Sequence, residues 1–264
     1  MEVVLSVHGL AKYYGSVCAV EDVSFEVIEG QVCGILGPNG SGKTTTLSVI
    51  MGTVIPKRGT YDWSIPSRND RNPNLKIGAL IEAPNFYPYL SLVENLKIHT
   101  VIKRVPEYDI DRVLKITGLY ERRYSKYQTL SLGMKQRLGI AETLLGDPAV
   151  LVLDEPANGL DPEGIADIRE IIRREAEMGK TILMASHILG EVEKVCSHVV
   201  VLKNGKVIGK GSVEELLTRN DQIIVSCDVP EKLIVILEQD NRIKKISREN
   251  NDIILQVDED LRTG

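Results

Sequence analysis

No stretch of this chain approaches the ~20 consecutive apolar residues that a bilayer-spanning helix needs. The first residues, Met1-Glu2-Val3-Val4, lack the basic start and long apolar core of a secretory leader, so the chain is expected to stay in the cytoplasm. Cysteine is sparse: Cys18, Cys33, Cys196 and Cys227 have neither metal-site nor redox-motif spacing and read as reduced structural thiols. Aromatic residues make up only 5% of the chain, so a cluster of them is informative. A formal net charge of −5 argues against a general nucleic-acid binder. There is no internal repeat and no low-complexity tract. What remains is ordinary globular composition, 43% hydrophobic and 26% charged, in 264 residues. That length suits one large domain, or one domain with a small appendage.

Strand-like apolar runs recur at Val32–Leu36, Val150–Leu153, Thr181–Ala185 and Val199–Leu202, several of them separated by helical patterns. The alternation predicts an α/β fold with a largely parallel sheet buried on both faces. Val3–Val7 and Val23–Ile28 read as an antiparallel flank, and Lys203-Asn204-Gly205-Lys206 as a two-residue hairpin. Residues 84–146 are helical by pattern. Ser91 and Glu94 make a capping box before Leu92–Ile102, Asp109–Leu119 is a second helix, and Ser131–Leu145 is a third, stopped by Gly146-Asp147-Pro148. These predict a helical subdomain inserted into the core. Beyond Asp221, the runs Ile223–Cys227, Glu231–Leu237, Ile243–Ile246 and Ile253–Val257 predict a small α+β C-terminal appendage. The expected division is one domain over 1–220 and the appendage over 221–264.

The chemistry concentrates in two segments. Gly37-Pro38-Asn39-Gly40-Ser41-Gly42-Lys43-Thr44 matches the phosphate-binding P-loop, lying between an apolar strand and a helix that begins at Thr44 and Thr45. Its glycines let backbone N–H groups turn inward on a β-phosphate, at the positive end of the helix. Lys43 supplies a charge for the β/γ oxygens, and the Thr44 hydroxyl is placed to ligate Mg²⁺. The second segment, Ala149-Val150-Leu151-Val152-Leu153-Asp154-Glu155, puts two carboxylates at the C-terminal end of a buried strand, where open α/β sheets bind ligands. Asp154 is expected to serve Mg²⁺ and Glu155 to polarise the attacking water.

Leu130-Ser131-Leu132-Gly133-Met134-Lys135-Gln136-Arg137 resembles the signature motif of ATP-binding cassette transporter ATPases, usually LSGGQ, with Leu132 and Met134 as departures. The resemblance spans roughly residues 1–220 and implies a P-loop NTPase core. It implies that Tyr14 stacks on adenine and that Ser131, Leu132, Gly133 and Met134 face the γ-phosphate held by a second subunit. Asp161 belongs to the implied D-loop at the dimer interface, and His187 is the implied γ-phosphate switch. ATP and Mg²⁺ are the implied cofactors. The implied partners are an integral membrane permease and a second ATPase chain, identical or related, which would hold this one on the inner face of the membrane. Ile77-Gly78-Ala79-Leu80-Ile81-Glu82-Ala83-Pro84 carries Glu82 where the family usually has Gln. In this it resembles exporters that protect bacteria from lantibiotics and bacitracin-like peptides. Glu82 is expected to be a conditional Mg²⁺ ligand, since a carboxylate near phosphate is repelled unless a cation intervenes.

Three of the few aromatics, Phe86, Tyr87 and Tyr89, are expected to line the permease docking groove, with core packing as the competing role. A soluble cassette ATPase outside transport is the functional alternative. It is disfavoured because the chain has one cassette and no sustained heptads between the P-loop and the signature.

Overall fold

The two N-terminal apolar runs are pieces of longer strands, β1 (Val3–Tyr14) and β2 (Val17–Ile28), paired antiparallel in the computed structural model of the chain. Register shifts between Val7 and Tyr13 break the strict alternation that would have marked these strands at full length. The structure describes residues 2–65, 77–82, 85–218, 222–226, 233–234, 237, 243–249 and 252–257. The chain divides into two compact units, Met1–Lys210 and Gly211–Gly264.

In the first unit, β3 (Val32–Leu36) leads through the glycine loop into α1 (Lys43–Ile50). Strand β4 (Arg58–Trp63) then pairs antiparallel with β1, completing a sheet of order β2-β1-β4. It escaped the sequence reading because its residues are exposed or half-buried and carry no apolar run. Strand β5 (Ile77–Leu80) was not anticipated either. Next come α2 (Leu92–Lys103), α3 (Asp109–Ile116) and α4 (Leu132–Leu144). The second of these helices stops earlier than its pattern suggested, with Thr117 at the C-cap and Gly118 in the left-handed region. Then β6 (Val150–Asp154), α5 (Pro162–Glu177), β7 (Thr181–Ser186), α6 (Leu189–Val195), β8 (His198–Lys203) and β9 (Lys206–Ser212) complete the α/β pattern.

The six-stranded sheet has order β5-β6-β7-β3-β8-β9, and its β5-β6, β6-β7, β7-β3 and β3-β8 pairs are parallel. Every residue of β6 and β7 is buried, as strands covered on both faces must be. The β8–β9 connection is the expected two-residue turn, with Asn204 and Gly205 both at positive φ. Leu47, Val49 and Ile50 of α1 join Phe25, Ile35, Val152 and Leu183 in one core between the two sheets. Each such side chain contributes about 1.5–3 kcal/mol on burial.

The helices after β5 are tied by polar contacts. Ser91 and Glu94 form the capping box, the Ser91 N–H donating to Glu94 Oε2 at 2.7 Å and the Glu94 N–H to Ser91 Oγ at 3.2 Å. Glu142 of α4 lies 2.8 Å from Lys103 Nζ and 3.3 Å from His99 Nδ1, both on α2. Burial raises its carboxyl, but the His99 hydrogen bond and the Lys103 charge outweigh this and hold it below the usual carboxylate value.

The second unit contains α7 (Val213–Thr218) and an antiparallel sheet of β10 (Gln222–Ser226), β11 (Ile243–Glu249) and β12 (Asp252–Val257), in order β10-β12-β11. Ile253 and Leu255 centre its core, with Leu233, Ile234 and Leu237 packed on them. The rest of Glu231–Leu237, and Cys227, lie outside the described residues. Among the described residues no helix is long and apolar enough to cross a membrane.

Candidate active site

The loop between β3 and α1 is shaped by its neighbours as well as by its own glycines. Gly42 caps α1 at φ 101°, and a Cβ there would fall 2.5 Å from the Ala19 carbonyl oxygen of β2. Any side chain at this position would be strained and in collision. The Gly205 N–H donates to the Ser41 carbonyl at 3.0 Å, while the Glu21 N–H donates to the Gly205 carbonyl at 2.7 Å. The β8–β9 turn therefore bonds both the loop and β2. Pro38, Asn39 and Gly40 stay exposed, Thr45 is half-buried, and Gly37, Ser41 and Lys43 are buried.

Lys43 Nζ donates to the carbonyls of Gly37 at 2.8 Å and Pro38 at 3.2 Å, and lies 3.2 Å from Glu155 Oε1. Glu155 Oε2 in turn lies 2.8 Å from His187 Nδ1. Three ionisable groups from the start of α1, the end of β6 and the end of β7 thus form one continuous chain. Glu155 sits at φ 47°, a left-handed conformation that costs a non-glycine residue about 1 kcal/mol or more. Its N–H donates to the Ala185 carbonyl at 3.1 Å, which holds this sharp exit from β6 against β7.

Asp154 is buried beside this chain. Burial pushes its carboxyl above the usual value and the charges of Glu155 and Glu82 add to that, while a hydrogen bond from Thr44 and the Lys43 charge oppose it. Its Oδ1 is buried without a hydrogen-bond partner. Glu82 is exposed at φ 66°, close enough to act on Asp154 electrostatically. Ala83 and Pro84 of the same motif lie outside the described residues.

Tyr14 ends β1 with its ring 51% exposed and Lys12 Nζ 5.2 Å from the ring centroid. It is an open aromatic face at the β1–β2 turn with Lys12 beside it.

A second group of expected site residues gathers elsewhere. Ser131 caps α4, its Oγ accepting from the Met134 N–H at 3.3 Å, and Asp161 caps α5, its Oδ1 accepting from the Gly164 N–H at 3.0 Å. Both caps open on a cleft of about 350 Å³ that Leu132, Gly133, Met134, Gly159 and Leu160 also line. Arg137 of α4 pairs with Asp167 of α5 at 3.3 Å. The structure thus sorts the expected residues into a Lys43–Glu155–His187 cluster, with Thr44, Asp154 and Glu82 around it, and a Ser131–Asp161 cleft. The Lys43–Glu155 pair and the Arg137–Asp167 pair had no signal in the sequence. Gly205 was visible only as a hairpin residue, because its role against the loop depends on a tertiary approach.

The aromatic cluster divides. Phe86 is 7% exposed, edge-on to His99 at 5.5 Å and 5.3 Å from Tyr127. It is a core residue of the helical region, which corrects the expectation that it lines a docking groove. Tyr87 and Tyr89 are 51% and 64% exposed, with ring centroids 6.1 Å apart. The buried Asn95 amide fixes their loop, accepting from the Tyr87 N–H and donating to the carbonyls of Tyr87, Leu90 and Ser91.

Residues 20–158 match the family described as ABC transporter. The bacitracin transport ATP-binding protein of Bacillus licheniformis is 37% identical over 90% of this chain and 80% of its own length. A lantibiotic transport ATP-binding protein of Streptococcus pyogenes is 38% identical over 83% of this chain and 97% of its own length. Among solved structures, the dimeric post-hydrolysis state of an ATP-binding cassette bound to ADP and Pi superimposes with a TM-score of 0.69 at 25% identity, covering 79% of this chain and 98% of that one.

Proposed function

This chain belongs to the ABC transporter family as an ATP-binding, ATP-hydrolysing subunit, and from that premise we propose that it drives an exporter by closing and reopening a dimer around two ATP molecules. The observation that carries this reading is the Lys43–Glu155–His187 chain, which joins a phosphate-binding loop to a general base and its orienting group. ATP phosphates would compete with Glu155 for the Lys43 ammonium. A Glu155 carboxylate released from Lys43, and still bonded to His187 Nδ1, is free to orient an attacking water. His187 Nε2 is then the ring nitrogen left for the γ-phosphate. Tyr14 offers an exposed face for adenine. The Ser131–Met134 turn stands outside the Lys43 cluster, and its contribution would come through a second chain, identical or related. There the free N–H groups at the α4 N-terminus would face the γ-phosphate held by the other chain.

The residues present fit Mg²⁺. The orphaned, buried Asp154 Oδ1 and the Thr44 hydroxyl are hard oxygen donors, and Mg²⁺ needs only one or two carboxylates beside water and phosphate. When bound, the ion neutralises charge developing on the β- and γ-phosphate oxygens. Thr44 and Asp154 would hold it, with Glu82 as a conditional third ligand. Replacing Glu82 by Gln is expected to move the Mg²⁺ concentration giving half-maximal ATPase rate by severalfold in the reconstituted transporter. Superimposable Mg²⁺ titrations would remove Glu82 from the ligand set.

The division proposed is a cassette over 1–220, with its helical subdomain at about 84–146, and an appendage over 221–264. An integral membrane permease would dock on the helical subdomain and hold the chain on the inner face of the membrane. The cargo class proposed is a peptide antibiotic, supported by the bacitracin and lantibiotic relatives. Tyr87 and Tyr89 supply the docking surface, since exposed aromatics a few residues after Glu82 suit an interface that senses the γ-phosphate. Changing both to Ser is expected to abolish co-purification with the permease while the melting temperature moves by about 2 °C or less, as surface substitutions do. A large fall in melting temperature would assign both rings to the core instead.

A further inference from the structure

The helical region carries a second group of aromatics, and this one is basic. A turn of 3₁₀ helix at Tyr120–Arg122 follows α3. Arg123 Cζ lies 4.2 Å from the Tyr120 ring centroid and 4.7 Å from that of Tyr124, and Lys115 Nζ lies 4.9 Å from that of Tyr120. Cation–ring contacts occur roughly once per 70–80 residues. Three of them sharing two neighbouring rings therefore mark a built array rather than scatter. Lys115, Arg122 and Lys126 are exposed, and so is Tyr124, at 74%. Residues 115–126 hold these four cations against one carboxylate, Glu121, in a chain of net charge −5. Among the described residues, the salt bridges of the helical region are made by Lys97, His99, Lys103, Arg112 and Arg137, and by none of these four. Glu94, whose charge acts on Lys126, is itself held by Ser91. The array is also fixed in place. The N–H groups of Leu92 and Val93 donate to the carbonyls of Ser125 and Arg123, at 3.2 and 3.1 Å. Those of Tyr127 and Gln128 donate to the carbonyls of Leu90 and Pro88, both at 2.9 Å. Four backbone bonds thus stitch it to the segment that presents Tyr87 and Tyr89.

We propose that the Tyr120–Lys126 segment, with Lys115, docks on anionic phospholipid headgroups of the inner membrane leaflet, beside the permease. The proposal rests on the reading that the permease holds this chain at that surface. Continuity with Tyr87 and Tyr89 turns the array towards the membrane, which favours lipid over nucleic acid as the occupant. Its composition fits that place: tyrosine rings sit at headgroup level with an apolar body and a polar tip, and basic side chains beside them reach the phosphates. An arginine fork matches a phosphate geometrically, and lysine supplies a point charge. The cations are spread over exposed chain rather than gathered around a pocket, which suits an extended anionic surface and not one small anion. The chain as a whole is acidic and would be repelled by such a leaflet, so a local basic array decides which face approaches it.

The test is flotation of the full chain with vesicles of phosphatidylcholine alone, and of phosphatidylcholine with about one-third phosphatidylglycerol, at low and at physiological salt. The parent is expected to float with the anionic vesicles only, and to be released as salt rises. Changing Lys115, Arg122 and Lys126 together to Gln should lower its partition at least about tenfold. Removing the same charge at Lys57, Lys194 and Lys203, all exposed and outside the array, should leave the partition within about twofold. Tyr124→Ser should weaken binding severalfold without changing its salt dependence, and it serves as the test by itself if the triple Gln variant melts early. A parent that floats with neither vesicle overturns the proposal, as do equal losses in the two triple variants. Equal affinity for duplex DNA overturns it too, since the array would then be a general polyanion surface. A parent that floats with neither vesicle, and whose Lys115, Arg122 and Lys126 variant no longer co-purifies with the permease, overturns it and gives the array to an acidic permease segment. Flotation needs no permease, so retention of the permease by the Tyr87 and Tyr89 variant fails the docking reading alone.

Discussion

Glu155→Gln is expected to bind ATP at least as tightly as the parent and to hydrolyse it on the order of 10²-fold more slowly, or worse. The substitution preserves shape and removes one charge. In the structure that charge faces Lys43 at 3.2 Å and His187 at 2.8 Å, so it serves two partners. An amide oxygen can keep the His187 hydrogen bond but cannot polarise a water as a carboxylate does. Phosphoryl transfer depends on positioning and electrostatics, so a poorly oriented water is costly even when every other group is in place. Lys43 meanwhile loses a competitor for the phosphates, which is why affinity should not fall. The dimer should accumulate with ATP because the step that reopens it is blocked. Turnover by phosphate release and size by gel filtration with ATP are the two measurements. Parental turnover would refute the assignment of Glu155.

Lys43→Ala should fail one step earlier. Its ammonium is almost fully buried, held by two carbonyls of its own loop and by Glu155. That arrangement presets its position at the phosphate-binding loop. A charge-assisted hydrogen bond contributes roughly 1.5–3 kcal/mol, and the β- and γ-phosphates each stand to lose one. The expected result is a rise in Kd for ATP of about 10²-fold, with hydrolysis lost at cellular ATP. Removing Lys43 also takes away the ammonium that faces Glu155, so phosphate entering the loop meets an uncompensated carboxylate. Titration of a fluorescent ATP analogue separates the two variants, since Lys43→Ala loses binding and Glu155→Gln retains it. Unchanged affinity in Lys43→Ala would show that backbone N–H groups alone hold the phosphates.

Much of this protein was legible because its chemistry is local in sequence. The P-loop pattern announces itself in eight consecutive residues, and the capping box at Ser91 and Glu94 and the Asn204-Gly205 hairpin are contained within four. The buried strands β3, β6 and β7 were readable for the same reason, since continuous apolar runs are what two-sided burial demands. Strand β4 was not readable, because an exposed antiparallel edge needs hydrogen bonds from β1 and no particular side chains. Phe86 was misjudged for a related reason. Phe86, Tyr87 and Tyr89 are neighbours in sequence, and only the packing of His99 and Tyr127 around one of them decides which ring is core.

By itself the sequence determined the α/β class, the glycine loop that matches the P-loop pattern, the paired carboxylates at the end of β6 and the resemblance that membership in the ABC transporter family bears out. These follow from periodicity and from short patterns whose geometry the backbone imposes. Only the tertiary structure decided which charge faces which. Lys43 and Glu155 are 112 positions apart, Glu155 and His187 are 32, and the Arg137–Asp167 ion pair joins two helices from separate elements. Ion pairs and van der Waals contacts act over a few ångströms, and nothing in the order of residues reveals a distance that only the folding of the sheet creates.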